Sequence, residues 1–277
     1  MPLIGIPNLS VARDAERVGS LRQVLEEARA TVLDTHSDRA HNRSVFTVTA
    51  DPADLPDAFA SLARATVPID LRDHDGLHPR TGVFDVCPIV PHHAGMSEAI
   101  EVARATGEAI AAAGLPVYLY AHSATRTETR SLPDIRRGGL AGVIRRANQG
   151  LTPDLGPSTI DPRRGVVCVG ARDVLIAFNV WLRAGIATAE RIAAAVRETG
   201  GGLAGVRALG LEVDPDVAQV SMNLTQPSRV GVDETFTEVD RLVRLEGGGI
   251  VATELVGLVP KRFEPDPHGE AARLLLE

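Results

Sequence analysis

The sequence predicts an α/β (α+β) protein of two subdomains. Each is expected to be a mixed β-sheet with helices on its outer face, the sheets packed face to face, with a ferredoxin-like C-terminal half. Three observations predict this. Apolar residues alternate between runs of period two and runs of three- and four-residue steps along the whole chain. The second half reads β-α-β-β-α-β, the split βαβ pattern of ferredoxin-like domains. Sheets covered by helices on one side bury the other face as well, which brings two such halves together sheet to sheet. A cleft or tunnel between them is then the default ligand site.

Taken in order, Leu3 to Ile6 reads as an edge or early strand ended by Pro7-Asn8, and Ser10 as a helix cap. Val18, Leu21, Val24, Leu25 and Ala28 recur at helical steps between Ala12 and Ala30. Thr31 to Thr35 is a strand, Ser37 to Asn42 a polar loop, and Ser44 to Ala50 an alternating strand. A helix over Leu55 to Ala65 leads to a strand at Val67 to Leu71. After an apolar strand at Val83 to Val90, Ser97 to Ala113 is helical, with Gly114 as its stop. Val117 to Tyr120 is a strand of β-branched and aromatic residues. His122 to Gly156 reads as a basic connector whose arginines are mostly solvated, with a short helix at Leu140 to Asn148. Strands at Val166 to Val169 and Leu175 to Leu182 bracket the boundary, near Val169 to Ala177. Then come a helix at Ala187 to Thr199, strands at Ala204 to Val213 and Ala218 to Asn223, and a helix at Asp233 to Glu246. A last strand, Gly249 to Val259, precedes a charged tail with a helix at Glu270 to Leu276.

The 277 residues allow two subdomains with ample core. Aromatics are only 3%, so that core is built from Ala, Val, Leu and Ile. A net charge of -7 argues against a nucleic-acid partner, which needs a basic face. Cys87 and Cys168 lie in apolar runs and read as buried thiols of a reducing compartment. The N-terminus lacks the basic and apolar regions of a signal peptide, and no apolar run is long enough to span a membrane. A cytoplasmic protein with no membrane partner is expected.

The densest chemistry lies from Asp70 to Pro91, which holds His74, His78, Arg72, Arg80, Asp73, Asp75 and Asp85. Gly76, Pro79 and Gly82 exclude a regular helix there, so these groups sit on a loop feeding a strand. Histidine can exchange a proton near neutral pH, which makes His78 a candidate general acid or base. A solvated charged loop is the competing reading, and the residues alone leave both open. His74, His78, His92 and His93 offer no convincing third ligand, so no metal is expected. There is no G-x-S-x-G elbow, no GxGxxG after a strand and no GxxxxGK[ST]. Asn42-Arg43 could recognise a carboxylate through a guanidinium fork, or could simply begin a strand. Asn179 is an amide in an otherwise apolar strand, so its partners are either neighbouring backbone or a ligand.

At these residues the chain resembles the glutamate formimidoyltransferase (formiminotransferase) family. The motifs run in order: IPNLS from Ile6, NRSVFT from Asn42, HPRTGVFDVCPIVP from His78 and PVYLY from Pro116. PDLGP from Pro153, GARDVLIAFNVWL from Gly170, AQVSMNL from Ala218 and LVGLVP from Leu255 follow. The resemblance implies subdomains 1–172 and 173–277, with a folate tunnel between two sheets. It implies transfer of a formimino group from N-formimino-L-glutamate to N5 of tetrahydrofolate, a co-substrate, in histidine degradation and one-carbon metabolism. A homodimer without a fused cyclodeaminase is expected. The family's proposed catalytic histidine corresponds to His78. Chemistry then suggests Arg80 and Arg43 for carboxylates, with Asn42, His36 and Asn179 as further substrate-binding residues.

Two positions depart from the family. His36 stands where an Asp is common, and Leu77 replaces an acidic residue before His78. Less negative charge nearby lowers the basicity expected of His78. A non-catalytic folate-binding paralogue, or a transferase or hydrolase with another formyl or formimino donor, is therefore the alternative reading.

Overall fold

The first sheet grows from strands that are short where proline interrupts them. The computed structural model describes residues 3–77 and 80–276. Its first strands are Leu3–Gly5 (β1), Asn8–Leu9 (β2), Thr31–Asp38 (β3), Arg43–Ala50 (β4), Phe84–Pro91 (β5), Val117–Leu119 (β6) and Val167–Ala171 (β7). β1 and β2 are one strand broken at Ile6-Pro7, since proline has no N–H for a ladder. Both pair with β4 on one side and β5 on the other. The strand read as an edge or early one is thus interior, where both rows of its backbone groups are satisfied. β3 extends the sheet beyond β4, while β7 and then β6 run parallel beyond β5.

Helices Ala15–Glu27 (α1), Leu55–Ala65 (α2) and Met96–Ala112 (α3) cover one face with Leu21, Leu25, Phe59, Leu62 and Ala103. Each large buried side chain there contributes about 1.5–3 kcal/mol. A Cβ on Gly5 would lie 2.2 Å from the Phe59 ring, so glycine lets α2 settle onto β1. Leu132–Arg136 (α4) and Gly139–Asn148 (α5) place Ile135 and Val143 against Val86, Tyr118 and Cys168 on the opposite face. The connector is therefore partly a packed helical layer.

Several local expectations change. α1 is capped by Asp14, whose carboxylate accepts from the Arg17 N–H at 2.9 Å. Ser10 donates to the Gly82 carbonyl at 2.7 Å instead of capping. The polar run Ser37-Asp38 belongs to β3. Val67 to Leu71 is not a strand: Pro68 has no N–H, the Ile69 N–H turns back to Thr66, and Leu71 enters a tight turn over Leu71–Asp73.

Contacts divide the chain into two units, Met1–Asp173 and Val174–Glu277. The second comprises Ile176–Arg183 (β8), Ile186–Val196 (α6), Val206–Asp214 (β9), Val217–Leu224 (β10), Val232–Leu245 (α7) and Gly249–Val256 (β11). Its strand order is β11-β8-β10-β9, antiparallel throughout. Each helix crosses over one intervening strand, so neighbours alternate in direction and this sheet is not mixed. The order is that of a ferredoxin-like domain. Its core holds Phe178, Val180, Ile192, Val220, Met222 and Val239. The tail helix is confined to Glu270–Arg273 (α8), because the Thr253 N–H takes the Leu274 carbonyl and its carbonyl takes the Leu276 N–H.

Candidate functional site

The turn between β3 and β4 is the floor of the site. Asn42 lies in the left-handed region at φ 44°, a conformation asparagine tolerates. Its Oδ1 accepts the Ala12 and Arg13 N–H groups at 2.9 and 3.2 Å, which ties the turn to the start of α1. His41 is 1% exposed. Its N–H donates to Asp38 Oδ1 at 3.0 Å and its Nδ1 bonds Asp38 Oδ2. Burial works to raise the Asp38 pKa, but hydrogen bonds from His41 and the charges of His41 and Arg43 prevail and bring it to about 2.

The polar loop lies on this floor. The Leu77 N–H donates to the Ala40 carbonyl at 3.3 Å, and His74 Nε2 donates to the Asn42 carbonyl at 3.0 Å. Burial depresses the His74 pKa. A Cβ on Gly76 would stand 2.3 Å from the His41 carbonyl oxygen, so the loop approaches the turn more closely than any other residue would allow. His78, the expected catalytic residue, and Pro79 lie outside the described residues.

Arg80 follows and is 8% exposed. Its Nη2 donates to the His41 carbonyl at 3.3 Å and its Nη1 lies 3.5 Å from Asp85 Oδ2. Asp85, on β5 and 1% exposed, also accepts the Thr81 N–H at 3.0 Å, the Thr81 hydroxyl at 2.7 Å and Arg136 Nη2 at 2.7 Å. Burial brings the Arg80 pKa down to about 10, against the pull of Asp85 and with the push of Arg43 and Arg136. Arg80 Nε is buried with no acceptor among the described residues. Arg80, His74, Gly76, Leu71 and Leu140 line a cleft of about 280 Å³. The arrangement is a guanidinium held on two sides, with one donor unmatched among the described residues, suited to a carboxylate.

Strand register places the other candidates. His36 stands opposite Val45, and Arg43 opposite Asp38. Paired residues share a face, so His36, Asp38 and Arg43 lie on the side turned from α1–α3. Asn179 belongs to the second unit, where it is 2% exposed and its Nδ2 donates to Glu254 Oε2 at 2.8 Å. Gln219, on the same face of that sheet, is fully buried with no side-chain hydrogen bond among the described residues. Among the described residues no group of three His, Cys, Asp or Glu side chains could hold a metal ion, and no helix is long and apolar enough to cross a membrane.

Sequence reasoning assigned no role to Asp38, His41, Asp85 or Arg136. Asp85 lies inside the stretch singled out, but its partner Arg136 sits 51 residues away, in the segment read as a solvated connector.

The chain matches two family models, the formiminotransferase domain N-terminal subdomain over residues 3–172 and the formiminotransferase domain over 177–264. It is similar to the glutamate formimidoyltransferase of Streptococcus pyogenes, with 36% identity over 264 residues, 93% of this chain and 88% of that protein. The glutamate formimidoyltransferase of Thermoplasma acidophilum is 36% identical over 272 residues, covering 93% of this chain and 88% of that one. The formimidoyltransferase-cyclodeaminase of Sus scrofa is 36% identical over 267 residues, 92% of this chain but only 49% of that longer protein.

Proposed function

The chain belongs to the formiminotransferase domain family, and from that premise we propose that it moves a formimino group from N-formimino-L-glutamate to N5 of tetrahydrofolate. The observation that carries the reading is Arg80, a buried guanidinium that lines a cleft and whose Nε has no acceptor among the described residues, two residues after His78 in the sequence. That receptor suits a carboxylate of N-formimino-L-glutamate or of the folate glutamyl tail, so the residues present fit both substrates.

Tetrahydrofolate, as co-substrate, supplies the attacking N5 amine. His78 takes the proton that N5 loses as the amidine carbon is attacked, then returns it to the departing glutamate nitrogen. Arg80 and Arg43 hold carboxylates. Asn42 shapes the turn under the loop, His36 binds substrate in the first unit, and Asn179 is a substrate-binding residue of the second. Residues 1–172 and 173–277 act as the two formiminotransferase subdomains of a cytoplasmic homodimer in histidine degradation.

The test mixes purified protein with both substrates and follows the ultraviolet absorbance of the folate product. His78→Ala is expected to abolish turnover while leaving folate affinity within about tenfold, about 1.4 kcal/mol. Unchanged turnover in that variant removes His78 from the mechanism. Because His36 and Leu77 stand where acidic residues are common in the family, a second reading is a folate-binding paralogue. Folate binding without transfer from any formimino or formyl donor selects it, whereas ammonia or formate release without folate selects a hydrolase.

A further inference from the structure

Two guanidiniums converge on Asp85, and they do not share it equally. Asp85 Oδ1 is occupied by the N–H and hydroxyl of Thr81, at 3.0 and 2.7 Å. Oδ2 remains, and both arginines reach for that one oxygen. Arg136 Nη2 holds it at 2.7 Å, while Arg80 Nη1 stands back at 3.5 Å. Two cations facing one buried anion leave an excess positive charge in a desolvated place, and such a charge calls for an incoming anion.

We propose that Arg136 is a positioning residue: by neutralising Asp85 it keeps the Arg80 guanidinium available for a substrate carboxylate. The inference rests on the reading that Arg80 receives a glutamyl carboxylate. Without Arg136, Asp85 has Arg80 as its sole described cationic partner and draws it into a closed ion pair. The Arg80 guanidinium, which lines the cleft, would then turn as one planar fork toward Asp85. Arg136 is reached from α4 and keeps partial exposure, its side chain being 26% accessible, so it is replaceable at less structural risk than Asp85.

The carboxylate has two sources, the formimino donor and the folate tail, and the measurement separates them. KM is determined for each substrate with the other saturating, alongside kcat and calorimetric binding of L-glutamate. Arg136→Gln is expected to raise KM about tenfold for the substrate whose carboxylate Arg80 holds, equivalent to about 1.4 kcal/mol, with kcat changed less than about twofold. Arg136→Lys, which keeps a cation beside Asp85, is expected to stay within about threefold of the parent. Adding Asp85→Asn to Arg136→Gln removes the competing anion and is expected to recover most of the lost affinity, a non-additive result that a merely structural role does not give.

An unchanged KM in Arg136→Gln overturns the proposal, as does equal damage in Arg136→Gln and Arg136→Lys, or a double variant worse than either single one. If the double variant does not fold, the Gln and Lys pair decides. A parent protein with neither turnover nor glutamate binding overturns the underlying reading of Arg80; a parent with both, insensitive to position 136, overturns only the role of Arg136.

Discussion

Asp38 lies buried beneath the β3–β4 turn with both oxygens engaged by His41, and its pKa falls from an ordinary 3.8 to about 2. A carboxylate with a depressed folded pKa stabilises the protein above its unfolded value, and that contribution disappears as pH falls through the folded one. The shift corresponds to about 2 kcal/mol, at about 1.4 kcal/mol per pKa unit. Asp38→Asn is therefore expected to lower stability by about that amount at pH 7. The gap between parent and variant should shrink between pH 4 and pH 2, the window set by that shift. Urea midpoints across that range check it; a gap independent of pH would show that the carboxylate charge contributes nothing. The sequence made Arg80 visible because it sits in a dense polar stretch. His41 and Asp38 escaped notice because three-residue spacing in a turn carries no periodic signal, and Arg136 because its partner is 51 residues distant.

At the level of elements, the stretch from Val67 to Leu71 is where sequence and structure part most. β-branched and apolar residues at Val67, Ile69 and Leu71 suggested a strand, but Pro68 interrupts the donors and the Leu71 N–H is taken by the Arg163 carbonyl at 2.7 Å. Residues 67–77 form a loop that is held to the β3–β4 turn where Gly76 approaches it. Gly76→Ala would drive a Cβ to 2.3 Å from the His41 carbonyl, backbone against backbone, so the loop must lift. Such overpacking is expected to cost about 1–3 kcal/mol. The same lift displaces Arg80 further along the loop, so kcat/KM for transfer is expected to fall at least about tenfold even where the protein remains folded. Kinetics together with a thermal melt check it, and normal kinetics would mean that the loop is not held by this contact. Helices α2, α3 and α5 were legible because their apolar spacing is local. α4 was not, since its five residues give too little pattern to read.

Across the whole molecule, the β-α-β-β-α-β order of the second unit was readable because each of its crossovers is regular and its strands alternate cleanly. The interior position of β1 in the first sheet was not, because it depends on pairing with β4 and β5, tens of residues away. Each unit nevertheless has its own buried core, one with Phe46, Phe59 and Ile89 and the other with Phe178, Val220 and Val239. The chain also carries a separate reporter in each. Trp181, the single tryptophan, lies on β8 of the second unit. Cys87 and Cys168 are fully buried on β5 and β7 of the first, and burial raises both thiol pKa values, Cys168 to about 12. A buried thiol held far above neutral pH is inert until its surroundings open. Alkylation of the two cysteines therefore reports opening of the first unit, and tryptophan fluorescence reports loss of structure in the second. Since the slope of a urea transition grows with the surface exposed, the larger first unit is expected to show the steeper transition. The two curves are expected not to coincide. Superimposable transitions would mean that the separate cores unfold as one cooperative body.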